Sequence, residues 1–187
     1  MSSRLLGVTI QGAVLSAASN TLAQGFRVYR EGNLSAIDPV AFIQFILFAI
    51  ISTPPNYKWQ LWLEETFPSN PKQDAAAAKK KDNNEKDGGK ETFSIVNTIA
   101  KFLLDQTIGA VGNTLLFIVV LNLMRGAGWS GIVTAVQKDF YPMLLAGYKF
   151  WPLVTLVNLV LVPVEQRMLI GGLAGLAWGV YVSLMNI

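Results

Sequence analysis

The sequence predicts an all-α integral membrane protein: a bundle of four transmembrane helices, with a short or kinked fifth helix and an amphipathic interfacial helix. Three observations carry that prediction. Only 14% of the 187 residues are charged and 52% are hydrophobic, whereas a soluble domain of this size carries about 25% charged residues. The mean hydropathy is +0.41. Charges are also kept out of stretches of the length a bilayer demands, about 20 residues for ~30 Å of hydrocarbon at 1.5 Å per residue.

Between Arg4 and Arg27 lie 22 uncharged residues, between Asp38 and Lys58 lie 19, and between Asp105 and Arg125 another 19. Arg167 is followed by 20 more. Spans are therefore expected near 5–26, 39–57, 106–124 and 168–187. The window between Lys149 and Glu165 holds only 15 residues, about 22 Å as a helix. It predicts a short helix over 150–164, bent near Pro163, and leaves a fifth crossing open. Trp129, Ile132, Val133, Val136 and Phe140 make one apolar stripe with Lys138 opposite, which predicts an interfacial helix over 129–141. Trp59, Trp62, Tyr148 and Trp151 fit interfacial aromatic belts. Arg4 followed by LLGVTIQGAVLSAA also has the outline of a signal peptide, but Asn20 and Gln24 continue one helical face of the same segment.

Residues 71–91 differ in kind. They carry six Lys and five acids and no aromatic or β-branched residue, too little apolar surface to offset chain entropy. A disordered charged linker is expected there, within a single membrane domain over 1–187. With four crossings, the N-terminus and the linker share a side holding nine Lys and Arg, against five on the other side (Arg27, Arg30, Arg125, Lys138 and Lys149). That bias turns the linker toward the cytosol. Opposed charges within the linker argue against a nucleic-acid arm.

Cysteine and histidine are both absent, which excludes disulfides, thiolate or imidazole metal sites and every nucleophile–His relay. Gly88-Gly89-Lys90-Glu91 lacks the spacing of a nucleotide loop. Glu64 and Glu65 are adjacent and so point in different helical directions. No lysine falls inside an apolar window to serve a Ser–Lys dyad. No enzyme, cofactor or metal is expected.

Polar side chains inside apolar helices need partners or a wet cavity. Thr9, Gly12, Ser16 and Asn20 share one face of the first span, and Gln24 extends it. This stripe is either a helix–helix seam or the wall of a polar passage. Lys101 and Asp105 share a face of the third span. They are either an interfacial pair one turn apart, or Asp105 points inward as a gate, selectivity or proton-relay charge. Trp151, Thr155, Asn158 and Glu165 share a face of the short helix. Gly171, Gly175 and Gly179 form two overlapping small-xxx-small steps, a face for close helix packing within the chain or between copies. The partners expected are the bilayer, a second copy through this glycine face, and proteins through the linker.

Trp151-Pro152, Asn158, Val162-Pro163 and Arg167, then Trp178, Tyr181 and Ser183, resemble the C-terminal signature of the Mpv-seventeen family of small multi-span organelle membrane proteins. Thr155, Leu159, Gly179 and Val182 depart from it. Lys101, Asp105 and Gln106 match the family's K-x-x-x-D-Q, without the proline expected next. Asn20 and Gln24 match a G-D-x-x-x-Q motif whose Gly and Asp are replaced here by Ser19 and Asn20. Pro54–Pro68 resembles the proline and aromatic run after span two. The resemblance implies four spans, both termini on one side, and a peroxisomal membrane, with the mitochondrial inner membrane as the alternative. It implies either a channel for small solutes, lined here by Thr9, Ser16, Asn20, Gln24, Asp105 and Asn158, or a non-transporting protein that organises the membrane or recruits partners.

Overall fold

The computed structural model describes residues 2–69, 94–162 and 166–184, and every regular element in them is helical. The linker expected over 71–91, Pro163, Glu165 and residues 185–187 lie outside the described residues.

Helix α1, Ser2–Glu31, has no internal proline. It stops at Gly32, whose φ of 63° favours a residue without a Cβ. Helix α2, Pro39–Thr66, is started by the Asp38 side chain, which accepts from the Ala41 N–H at 2.9 Å, with Pro39 in the first turn. It runs on through Pro54 and Pro55. Two neighbouring polar side chains turn back onto the ladder there: Thr53 Oγ1 donates to the Ala49 carbonyl at 2.6 Å, and Asn56 Nδ2 to that of Ser52 at 3.1 Å.

Helix α3, Ile95–Met124, begins at Ser94, whose Oγ accepts from the Asn97 N–H. It carries a π turn over Asp105–Gly109 and ends at Gly126, φ 76°. Helix α4, Trp129–Tyr148, and helix α5, Trp151–Leu161, meet at a 45° bend. Pro152 sits in the first turn of α5, where a missing N–H is tolerated. Helix α6 is Arg167–Leu184.

Among the described residues three helices are long and apolar enough to cross a membrane: 3–31, 39–66 and 95–124. The bent pair α4–α5 makes a fourth if it is one span. The fourth candidate is thus 129–161, where the charge windows predict 168–187. The apolar part of α6 among the described residues is the shorter Leu169–Tyr181. The helix expected over 129–141 continues to Tyr148 and packs along α3, with Ile132 and Met143 buried.

α1 lies between α2 and α6, α3 packs on α2 and α4, and α5 lies between α3 and α6. Phe117 of α3 meets Phe45 and Phe48 of α2 edge-on, at 6.3 and 5.1 Å between ring centres. α6 runs in the same direction as α1: Leu15 lies beside Gly172, and Ser19 Oγ donates to the Leu176 carbonyl at 2.8 Å. Leu184 therefore lies toward the end of the bundle away from Ser2, whereas the resemblance implies both termini on one side. Large apolar side chains face outward, among them Val14 at 63% exposure and Leu161 at 73%. That much exposed apolar surface calls for lipid as solvent.

Candidate functional site: a polar ladder at one end of the bundle

Where α2 ends and α3 begins, polar side chains meet in rungs one helical turn apart. The helices are antiparallel, so four residues forward on α2 match four residues back on α3. The first rung is Gln60 with Asp105, the second Glu64 with Lys101, and the third Pro68 with Asn97. α2 and α3 have 28 and 30 residues, about 42 and 45 Å. Both exceed the ~30 Å hydrocarbon, so these ends extend past it or the helices tilt.

In the first rung the Asp105 carboxylate is held by neutral donors. Its Oδ1 accepts from Trp59 Nε1 at 3.2 Å and Gln60 Nε2 at 3.0 Å. Its Oδ2 accepts from Thr155 Oγ1 at 3.2 Å and Gln106 Nε2 at 3.5 Å. Gln106 Nε2 also donates to Thr155 Oγ1 at 3.1 Å, and Tyr148 OH to the Gln106 carbonyl at 2.8 Å. Residues of α2, α3, α4 and α5 thus converge on the π turn, a backbone form concentrated at functional sites. Gly109 allows the approach: a Cβ there would lie 3.1 Å from Trp59 Nε1 and 3.2 Å from Asp105 Oδ1.

The second rung carries the charges. Glu64 Oε2 accepts from Lys101 Nζ at 2.7 Å and Arg167 Nη1 at 2.8 Å, while Oε1 accepts from the Ser69 N–H at 2.7 Å. Ser69 Oγ accepts from Lys101 Nζ at 2.5 Å and Arg167 Nη2 at 3.4 Å. Lys101 is 1% exposed, and its aliphatic stem is buried with its head. Arg167 also closes the end of α5. Its Nε donates to the Asn158 and Val162 carbonyls at 3.1 and 3.2 Å, and Nη2 to that of Leu159 at 3.3 Å. Terminal carbonyls of a helix lack intrahelical donors, and a cation suits that end. Asn158 Nδ2 answers by donating to the Arg167 carbonyl at 3.1 Å.

The stripe on α1 is elsewhere, against α2 and α6. Gln24 Nε2 donates to Asn20 Oδ1 at 2.6 Å and to the Asp38 carbonyl at 2.7 Å, while Gln24 Oε1 accepts from the Asp38 N–H at 2.9 Å. This amide pairs with the loop backbone and fixes where α2 starts. Ser16 Oγ donates to the Phe45 carbonyl at 2.9 Å, and Thr9 Oγ1 only to Leu5 of its own helix at 2.8 Å. The expected lining residues therefore fall into separate bonded groups: Asn20 with Gln24, Asp105 with Gln106, and Asn158 with Arg167. Three polar atoms in these groups, Asn20 Nδ2, Gln106 Oε1 and Asn158 Oδ1, are buried with no hydrogen-bond partner.

The glycines divide as well. Gly171 lies against Asn158 of α5 and Gly179 against Ser19 of α1, while a Cβ at Gly175 would meet nothing within 4 Å. Two of the three thus serve packing inside the chain. Trp178 stacks on Phe150 at 5.8 Å and meets Trp151 at 6.1 Å and Tyr181 at 5.2 Å, joining α5 to α6.

Lys101 and Asp105, one turn apart, do not pair with each other; each turns to α2. Sequence reasoning missed Trp59, Gln60, Glu64 and Ser69 as their partners. The usable signal was the four-residue spacing of Gln60 and Glu64 on α2 and Pro68 just beyond its end, matching that of Asn97, Lys101 and Asp105 on α3. Among the described residues no group of three or more Asp and Glu is placed to hold a metal.

A model of the Mpv17 / PMP22 family matches residues 122–183. The chain is 28% identical over 176 residues to PXMP2/4 family protein 3 of Dictyostelium discoideum, covering 94% of this chain and 80% of that one. It is 24% identical over 196 residues to Protein sym1 of Schizosaccharomyces pombe, covering 97% and 84%. It is 28% identical over 85 residues to bovine Peroxisomal membrane protein 2, covering 46% and 43%. No solved structure matches.

Proposed function

We propose that the chain, similar to the Mpv17 / PMP22 family over residues 122–183 and to two relatives over most of its length, is an organelle membrane protein of that family that passes small polar solutes across the peroxisomal membrane, with Asp105 on the path. The name of the bovine relative supports the peroxisome; the mitochondrial inner membrane is the alternative. The observation that carries the reading is the Asp105 rung. This carboxylate sits at the head of a 19-residue uncharged stretch, held by four neutral donors and by no ion pair among the described residues. Beside it is the unpartnered Gln106 Oε1. Ionisable groups at membrane depth mark solute pathways, and carboxylate rings select cations. No catalytic step is part of this reading.

The test is flux of ions and small solutes through purified protein in liposomes. Asp105→Asn is expected to change selectivity and Asn158→Leu to lower the rate. Absence of flux across several lipids and voltages would refute conduction. A second reading, a non-transporting protein that organises the membrane or recruits partners, is favoured by one observation: Ser16, Ser19 and Gln24 direct their hydrogen bonds across helices, as a seam does. On that reading, removing residues 71–91 lowers recovery of bound proteins from detergent extracts and no flux is seen.

A further inference from the structure

A cleft between α3 and α4, away from the ladder, is lined by Phe117, Ile118, Leu121, Asn122 and Arg125 of one side and by Asp139 and Met143 of the other. Its enclosed volume is about 50 Å³, far below the ~300–1,000 Å³ of a closed ligand pocket, so an occupant lies in its mouth and along the lipid-facing surface. We propose that it binds one phospholipid whose headgroup carries both a phosphate and an ammonium.

Four features converge on that occupant. Arg125 and Asp139 carry opposite charges on one cleft, yet they form no ion pair or hydrogen bond with each other or with any other described side chain. A pair of opposed charges left apart, with space between them, fits a ligand that is itself a dipole. Arg125 ends the 19-residue uncharged stretch of α3, so its guanidinium lies at the depth of the headgroups and forks toward phosphate oxygens. Below it the floor is apolar: Ile118, Leu121 and Met143 are buried and Phe117 is partly so, which suits an acyl chain. Asn122 turns its amide onto the Ile118 carbonyl at 2.8 Å and makes no demand on a ligand. Phosphatidylethanolamine joins acyl chains, a phosphate and an N–H-bearing ammonium without a further charge, whereas phosphatidylserine adds a carboxylate that Asp139 would repel. The phosphate binds Arg125 and the ammonium donates to Asp139.

The experiment uses the full chain in detergent, stripped of lipid and offered phosphatidylethanolamine, phosphatidylcholine or phosphatidylglycerol. Retained lipid is read by native mass spectrometry, with circular dichroism and size exclusion confirming that each variant is folded. Wild type is expected to hold the ethanolamine lipid about tenfold better than phosphatidylglycerol, which lacks the ammonium. Arg125→Gln lowers retention of all three lipids about tenfold. Asp139→Asn removes the preference for ethanolamine and leaves phosphatidylglycerol unchanged. Lys138→Gln, exposed on the same helix and outside the cleft, changes neither. Equal retention of the three headgroups by wild type overturns the proposal, as does a wild-type profile in both cleft variants. Displacement of the lipid by free phosphoethanolamine at equal concentration also overturns it, since the cleft would then be a soluble-solute site.

Discussion

Replacing Glu64 by Gln keeps the shape of the second rung and removes its negative charge. Glu64 accepts two charge-assisted hydrogen bonds, from Lys101 at 2.7 Å and Arg167 at 2.8 Å, and a third from the Ser69 N–H. Bonds to a charged group contribute about 1.5–3 kcal/mol each, roughly twice a neutral bond. Halving two of them costs about 1.5–3 kcal/mol. The new amide also turns a donor toward a cluster made of donors. A loss near 2.5 kcal/mol is therefore expected, below the ~3–5 kcal/mol of a fully buried pair that loses one partner, because the Glu64 side chain keeps 24% of its surface in contact with solvent or lipid headgroups. For a chain of this length that is a fall of about 5–10 °C in melting temperature. The assay is thermal unfolding of detergent-purified protein, followed by tryptophan emission, with Glu65→Gln as control. Glu65 is exposed and its substitution should stay within about 0.5 kcal/mol of wild type. If Glu64→Gln melts together with Glu65→Gln, the charged rung contributes nothing and the reasoning is refuted.

Two other substitutions test the packing. Gly109→Ala is expected to destabilise by about 1 kcal/mol instead of gaining the ~1 kcal/mol that alanine brings to a helix interior. The added methyl presses on Trp59 Nε1 and Asp105 Oδ1, so a loss of the Trp59 hydrogen bond should also shift the tryptophan emission; an unshifted, more stable variant would count against this. Because the chain has no cysteine, the pair Ser19→Cys with Gly179→Cys should cross-link on mild oxidation, while Ser19→Cys with Gly175→Cys should do so poorly. Equal cross-linking of both pairs would mean that α6 does not sit on α1 as described.

The helical membrane class is legible in the sequence because it depends on sums over many residues: few charges, and windows as long as a bilayer is thick. α1, α2 and α3 each contain one of these windows and run beyond it. For the fourth span, charge as the ruler marks 168–187, whereas length and composition of the described helices mark the bent pair over 129–161 as a candidate. Lys138, Asp139 and Lys149 interrupt 129–161, and a helix that packs one face on α3 can tolerate charges that a lone span could not. The motif at Lys101, Asp105 and Gln106 is visible as a pattern, but its meaning lies in α2, about 35 to 45 residues earlier. No local periodicity says which helix will lie opposite, so the pairing of Lys101 with Asp105 on one face gives way to Glu64 and Trp59 on the next helix. The glycine spacing on α6 is visible in the sequence, but the neighbours of Gly179 on α1 and of Gly171 on α5, and the open space at Gly175, are properties of the tertiary arrangement.

The side-by-side, same-direction placement of α1 and α6 sets an order of assembly. Ser19 and Leu176 are 157 residues apart in the chain, so this contact closes nearly the whole polypeptide into one loop. Loop closure grows costlier with length, and contacts of such separation form late. The first two helices can settle as a hairpin as soon as both are in the bilayer, held at their turn by Gln24 on the Asp38 backbone. The other face of α1 must then wait, bare to lipid, until the last helix has been synthesised and inserted. An interruption of synthesis, or a stall before Arg167, leaves that face open and Glu64 without one of its two cations. The docking of α6 is thus the step that completes both the packing of α1 and the charged rung at Glu64.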